Sequence, residues 1–173
     1  VSPATVRRDL THLANQQLVV RTRGGASANP SSSDLPFRYR TGRNQEAAQR
    51  IAQRAVELVE VGDVVGLNGG TTTTEVAREI ALRAGVTPSD AGRYQYVILT
   101  NAVNIANELA IRKNIRLVLT GGVVQPMSYE LTGPLSTRLL DEVAIDILFL
   151  GVNSINLQGA FADHDGEAET NAA

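Results

Sequence analysis

In Gly69-Gly70-Thr71-Thr72-Thr73-Thr74-Glu75, two residues without side chains directly precede four hydroxyls. Glycine lets a backbone approach a ligand closely. Hydroxyls add donors to the free N–H groups of a helix starting near Thr72, a combination suited to a phosphate dianion. The run has neither the Lys of a P-loop nor the spacing of a dinucleotide fingerprint, so it reads as a small phosphate site; the plain alternative is a glycine turn with a threonine cap. Asn101, Gly121, Gly122 and Asn153 add groups able to donate or accept hydrogen bonds to the hydroxyls of a polyol without a metal. Asp163, His164, Asp165 and Glu167 form a second polar cluster, flanked by glycine and without another histidine nearby, and they read as a solvated loop. With no Cys there is no disulfide, thiolate metal site or cysteine nucleophile. The two histidines, His12 and His164, and the single lysine, Lys113, disfavour zinc, His-based triads and most lysine chemistry.

A different chemistry belongs to the N-terminal third. Residues 1–54 carry nine Arg against three acids, whereas residues 55–173 carry seven basic against fifteen acidic groups, so a basic head precedes an acidic body. Such an asymmetry suggests that the head alone approaches a polyanion. Ser2 supplies an N-cap oxygen and Pro3 has no N–H to leave unsatisfied, so a helix is expected to start there. Val6, Leu10 and Leu13 form its inward stripe, and the opposite face carries Ala4, Thr5, Arg8 and His12, with Arg7 on the flank. Leu18-Val19-Val20 and the turn at Gly24-Gly25 read as a hairpin exposing Arg21 and Arg23, which completes a winged helix-turn-helix outline. On this reading Thr5, Arg8 and His12 face the major groove, while Arg7, Arg21 and Arg23 hold phosphates.

The elements that must position these residues are legible as patterns. A polar stretch from Ser27 to Pro36 marks a linker, giving three expected regions: 1–26, 27–42 as linker, and 43–173. Asn44 to Glu60 reads as a helix with Ala48, Ile51, Ala55 and Leu58 on one stripe. Four short apolar runs follow, Val64–Leu67, Val97–Leu99, Leu117–Leu119 and Ile147–Leu150, and each ends in Gly, Thr or Asn. Continuously apolar strands alternating with helices predict an α/β fold with a parallel sheet buried on both faces, whose carboxyl edge is where ligands of such sheets bind. That edge gathers Gly69, Thr73, Gly151 and Asn153 with the residues already named. The length of 173 residues suits one good core with a small appendage. No run approaches the roughly 18 apolar residues of a membrane helix and no signal peptide is evident, so a cytoplasmic protein is expected.

The segment VSPATVRRDLTHLANQQLVVRTRGGA resembles the second half of the winged helix-turn-helix of DeoR-type bacterial transcriptional regulators. DVVGLNGGTTTTEVAREI, VILTNAVNIANELA, IRLVLTGGVV, ELTGPLSTRLLDEVAIDILFLGVNSI and GEAETNAA are similar to that family's sugar-phosphate sensor. The resemblance implies a recognition helix over Ser2 to Ala14 and a wing from Arg21 to Gly25, including Gly24. It also implies a sensor related to the ribose-5-phosphate isomerase-like fold, with effector near Gly70, Thr71, Thr72, Thr100, Asn101, Gly121 and Gly122. Many members carry a Lys where this chain has Ala47-Ala48, so no lysine contact to the phosphate is implied. The segment Ala84 to Gln95, longer than the usual connection, reads as a surface loop. The resemblance also makes the chain an excerpt of a longer regulator. The expected function is a repressor of sugar-metabolism genes whose partners are operator DNA, a phosphorylated sugar and further copies of itself, with no cofactor and no membrane. The rival is a sugar-phosphate isomerase on the same sheet, which needs a general base and a group to stabilise an enediolate. The strand ends offer it only neutral Asn, Thr and Gly.

Overall fold

The computed structural model describes residues 1–15, 18–28, 37, 44–86 and 94–173, which fall into two compact units, Val1–Arg43 and Asn44–Ala173. In the first unit the Ser2 hydroxyl accepts the Thr5 N–H at 3.2 Å and helix α1 runs Pro3–Asn15, as the cap and the proline require. Its expected stripe is only partly covered: Leu10 and Leu13 are half-buried, but Val6 is exposed. Strands β1 (Val19–Thr22) and β2 (Gly25–Ala28) pair antiparallel around the turn at Arg23-Gly24, and α1 packs against β1. Ser27 and Ala28 pair with Val20 and Val19, so the hairpin continues past residue 26, where the linker was expected to begin. Residues 29–36 and 38–42 of that expected linker lie outside the described residues.

The second unit is built on a four-stranded parallel sheet in the order β5-β4-β3-β8. Its strands are β3 (Val64–Leu67), β4 (Tyr96–Thr100), β5 (Ile115–Leu119) and β8 (Ile147–Phe149). Helices α2 (Gln45–Val56), α3 (Thr71–Val86) and α4 (Val103–Leu109) connect and cover them. Val65, Leu67, Tyr96, Ile98 and Ile115 alternate along the strands to one face, where they meet Ala52, Ala55, Val76, Ala77, Ile80, Ala81 and Ile105. Helix α2 and the turn after it bury Ala48, Ala52, Ala55 and Val59, leaving Ile51 and Leu58 exposed, so the expected stripe is displaced by about one residue. The reason is close approach: alanines at the contact let α2 lie against Ala77, Ala81 and Ala84 of α3, which a branched residue would hold apart. The helix also ends earlier than Glu60, because the Arg83 guanidinium donates to the carbonyls of Val56 at 2.6 Å and Val59 at 2.8 Å and caps it there.

The other face of the sheet carries Gly66, Leu99, Val118 and Leu148, aligned by the strand register. Ile145 and Leu148 fill the space above Gly66, where a Cβ would lie 2.9 Å from the nearest Leu148 carbon. Leu148 and Leu150 remain exposed, so burial of the strands on both faces, expected from their apolar runs, is incomplete among the described residues. Ala84 to Val86 belong to α3, with Ala84 buried, and Gln95 is buried as well, so neither end of the expected loop at Ala84–Gln95 is surface coil. Residues 87–93 of that loop lie outside the described residues.

Three short pieces follow β5. Strands β6 (Val123–Val124) and β7 (Leu131–Thr132) pair antiparallel, and helix α5 runs Pro134–Leu140. Strands β9 (Ser154–Asn156) and β10 (Gly159–Phe161) form an exposed hairpin. Helix α6 spans Asp165–Ala172. The solvated loop expected at Asp163–Glu167 is therefore corrected: Asp163 and His164 are exposed and precede α6, but Glu167 lies in its first turn and is buried.

Candidate functional site

Because all four strands run in one direction, their carboxyl ends meet at one edge, and the residues after β3, β4 and β5 converge there. Helix α3 begins at Thr71, and the Gly70 carbonyl accepts the Thr74 N–H at 3.0 Å. The Thr73 hydroxyl at 3.1 Å and the Thr74 hydroxyl at 2.7 Å donate to the same carbonyl, and both threonines are buried. Half the threonine run therefore bonds back to the start of its own helix, and the Thr73 hydroxyl, expected to meet an effector, is engaged there by the protein. Thr71 and Thr72 are half-buried and their hydroxyls are free of protein partners among the described residues. The first N–H groups of α3 have no acceptor within the helix, and no acidic side chain lies in its first turn.

Asn68, which the reading of the sequence passed over, ties the edge together. Its amide accepts the Gly151 N–H at 2.7 Å, donates to the Gly151 carbonyl at 2.8 Å, and reaches Asn171 Oδ1 at 3.3 Å. Both backbone groups of Gly151 are thus engaged by the protein, which makes Gly151 a fastening point for β8. Asn153 is exposed, donates its amide to Asp163, and bonds the Phe161 carbonyl through its N–H at 2.9 Å, so it anchors the base of the β9–β10 hairpin.

On the β5 side, the fully buried Ser136 hydroxyl contacts the Gly121 carbonyl, Thr120 Oγ1 at 3.1 Å and the Leu131 carbonyl at 3.1 Å. Gly122 has φ +122°, and a Cβ there would lie 2.5 Å from the Thr132 carbonyl oxygen. The Gly121-Gly122 turn is accordingly packed onto β7 and α5. Thr100 donates to the Leu67 carbonyl at 2.6 Å and accepts the Ala102 N–H at 3.1 Å, holding β4 against β3.

Glu130 is a charged side chain buried at this edge. It is 4% exposed and accepts Asn101 Nδ2 at 3.0 Å. A Cβ on Gly69 would sit 2.3 Å from Glu130 Cγ, so Gly69 is required for the carboxylate to settle there. The strand ends are therefore not wholly neutral, as the sequence had suggested.

Beside these groups lies a cavity of about 190 Å³ with an apolar floor of Gly66, Leu99, Ile145 and Leu148. Its polar wall includes Asn68, Thr100, Asn101, Thr120 and Asn171, with no ionisable side chain among the described residues. Of the expected effector residues, Thr100 and Asn101 line it. Gly69, Gly70, Thr71, Thr72, Thr73, Gly121, Gly122, Gly151 and Asn153 do not. Sequence signals for Asn68, Glu130 and Ser136 were weak because each acts through partners distant in the chain. Among the described residues, no group of three His, Asp or Glu is placed to hold a metal ion, and no helix is long and apolar enough to cross a membrane.

In the first unit, Ser2 is engaged as the cap of α1 and its hydroxyl lies 3.0 Å from that of Thr5. Arg7, Arg8 and His12 are exposed on α1, and Arg21, Arg23 and Gly24 on the hairpin, with Gly25 half-buried. None of these four arginines has an ion pair among the described residues. In contrast, Arg78 of α3 bridges Glu108 and Glu75, and the hydrogen bond to Glu108 is the chief cause of its raised pKa.

A small exposed basic helix and hairpin are thus joined in sequence to a parallel sheet with a polar carboxyl edge. The chain belongs to the DeoR family: residues 43–173 match the model of the DeoR C-terminal sensor domain and residues 1–32 that of the DeoR-like helix-turn-helix domain. It is 30% identical over 165 residues to the glycerol-3-phosphate regulon repressor of Escherichia coli K12, covering 95% of this chain and 62% of that protein. It is 33% identical over 180 residues to a putative aga operon transcriptional repressor of Escherichia coli O157:H7, covering 99% and 61%. With the lactose phosphotransferase system repressor of Staphylococcus epidermidis it shares 29% over 164 residues, covering 90% and 59%. The chain thus spans about three fifths of the length of the curated relatives it matches.

Proposed function

We propose that the protein is a cytoplasmic transcriptional repressor that binds operator DNA through residues of its first unit and a phosphorylated sugar through the carboxyl edge of its sheet. The observation that carries this reading is the division of chemistry between the units. Four arginines with no ion pair among the described residues sit on the helix and hairpin, while Thr71 and Thr72 keep free hydroxyls at the start of α3, and a cavity at the strand ends is walled by amides and hydroxyls. The first arrangement suits a polyanion and the second a small anion with hydroxyls. The names of the relatives support the same division, since they are repressors of glycerol-3-phosphate, aga and lactose phosphotransferase systems. They also support a regulator over an isomerase. Glu130, the carboxylate at the strand ends, is engaged by Asn101 and packed on Gly69.

Within this proposal Ser2 shapes the recognition helix, Thr5, Arg8 and His12 face bases, and Arg7, Arg21 and Arg23 hold phosphates around the Gly24-Gly25 turn. Reading of paired half-sites would make the protein a homo-oligomer. A phosphorylated sugar bound at the edge shifts operator affinity through one shared equilibrium. Operator titration of the complete protein with and without a panel of sugar phosphates tests the reading. Operator affinity indifferent to every phosphate ester that binds would overturn it.

A further inference from the structure

The polar side chains that line the cavity have nearly all their donors taken by the protein. The Thr100 hydroxyl donates to the Leu67 carbonyl at 2.6 Å and that of Thr170 to the Gly166 carbonyl at 2.8 Å. The Thr120 hydroxyl has the Gly121 carbonyl at 3.2 Å and Ser136 Oγ at 3.1 Å to meet. Asn101 Nδ2 donates to Glu130 and to the Leu131 carbonyl, and Asn68 Nδ2 to the Gly151 carbonyl and to Asn171 Oδ1. Asn171 differs. Its Oδ1 takes the Asn68 bond at 3.3 Å, while its Nδ2 has no partner among the described residues. Asn171 is half-buried near the end of α6 and lines the cavity. Unlike Asn101 Oδ1, which is buried without a partner, Asn171 Nδ2 is not sealed off by the surrounding protein.

Which end of that amide stays open is set by Gly151. The Gly151 N–H donates to Asn68 Oδ1 at 2.7 Å and its carbonyl accepts Asn68 Nδ2 at 2.8 Å, so the Asn68 amide fits one way round. Asn68 therefore turns an N–H toward Asn171, and a reversed Asn171 would set two NH2 groups against each other. We propose that Asn171 is a ligand-binding, specificity-determining residue whose Nδ2 donates to a keto or hydroxyl oxygen on the carbon chain of the bound sugar phosphate. Asn68 is its positioning residue. This rests on the reading of the edge as a sugar-phosphate site and adds the ligand group that is recognised. No ionisable side chain among the described residues lines the cavity, so the oxygen received there is a neutral one. The floor of Gly66, Leu99, Ile145 and Leu148 brings no polar side chain. A carbon chain lacking that oxygen displaces water from the amide and returns no bond.

The test compares hydroxyacetone phosphate with n-propyl phosphate by calorimetry on this chain. The two share the phosphate and the carbon chain and differ by one keto oxygen, which accepts but cannot donate. The keto ester is expected to bind the wild type about five- to tenfold more tightly. Asn171→Leu removes the donor and is expected to bring the ratio within about twofold of one. Asn171→Asp still accepts the Asn68 bond but sets a carboxylate oxygen where the N–H was, and is expected to reverse the preference. Its added charge acts on both esters and cancels in the ratio. Thermal unfolding confirms that each variant is folded, and Asn171→Asp, which keeps the bond from Asn68, carries the test if Asn171→Leu does not fold. Equal affinities in the wild type, or a preference for the keto ester that survives in either folded variant, overturn the role of Asn171 while leaving the anion site standing. If neither ester nor inorganic phosphate binds the wild type at millimolar concentration, the sugar-phosphate reading falls and this inference with it.

Discussion

Arg7, Arg8, Arg21 and Arg23 hold their charge in solvent without an ion-pair partner among the described residues, and so keep it for whatever polyanion approaches. Their positions separate two roles. Arg8 shares the face of α1 opposite Leu10 and Leu13, so Arg8→Ala is expected to weaken specific operator binding by about 1 to 3 kcal/mol in the complete protein, as loss of a base contact would. Arg23 stands in the hairpin turn, where Arg23→Ala is expected to weaken all DNA sequences alike and reduce the salt slope by about one unit. Titrations on specific and random duplexes across a salt series distinguish these outcomes. At the sheet edge, Thr72 has a hydroxyl without a partner among the described residues, while those of Thr73 and Thr74 donate to the Gly70 carbonyl. Thr72→Ala is expected to raise the dissociation constant of a bound sugar phosphate about tenfold with the melting temperature nearly unchanged, whereas Thr74→Ala lowers the melting temperature. Calorimetry and thermal unfolding read the two effects separately.

Among the elements, the α2–α3 contact is the most demanding. Ala52 is fully buried and meets a helix surface of small residues, so there is no space for a larger side chain without moving α2 off α3. Ala52→Leu is expected to cost about 1 to 3 kcal/mol of stability, and Ile51→Ala on the exposed side less than about 0.5, measured by urea unfolding. The difference explains why the helix was legible in the sequence while its buried stripe was not. Helical spacing admits both the Ile51–Leu58 and the Ala52–Val59 stripes, and apolar size favours the first, but the approach of a neighbouring helix decides for the second. The four strands of the parallel sheet were legible because β-branched and leucine runs bounded by Gly, Thr and Asn have few other uses. β9, β10 and α6 were not, because their compositions resemble those of turns and exposed loops.

Across the whole molecule, the edge site depends on pairings that span the chain. Asn68 meets Gly151 and Asn171, and Asn101 meets Glu130, contacts that no local pattern announces. Local chemistry therefore indicated the edge at which the site is proposed, whereas the folded chain determines which groups there the protein has already engaged. The Thr71 and Thr72 hydroxyls have no partner among the described residues, while Thr73, Thr100 and Gly151 are occupied by the fold. If the two units share one equilibrium of typical strength, about 1 to 3 kcal/mol, a saturating sugar phosphate is expected to change operator affinity roughly 5- to 150-fold. Operator binding at fixed salt with increasing effector measures that coupling directly.

The strand order β5-β4-β3-β8 makes β3 an inner strand whose second neighbour is synthesised about eighty residues later. Strands β3, β4 and β5 can assemble from successive segments as they emerge, but one side of β3 stays an open edge until Ile147 to Phe149 arrive. That interval exposes unpaired backbone to other chains, and Asn68 is the latch that ends it by seizing Gly151. Asn68→Ala is expected to leave β3, β4 and β5 protected while the amides of β8 exchange with solvent at least about tenfold faster, and to raise aggregation during refolding. Hydrogen exchange read by mass spectrometry would show this as a fast-exchanging β8 beside three slow strands; uniform protection would mean that side-chain packing alone closes the sheet.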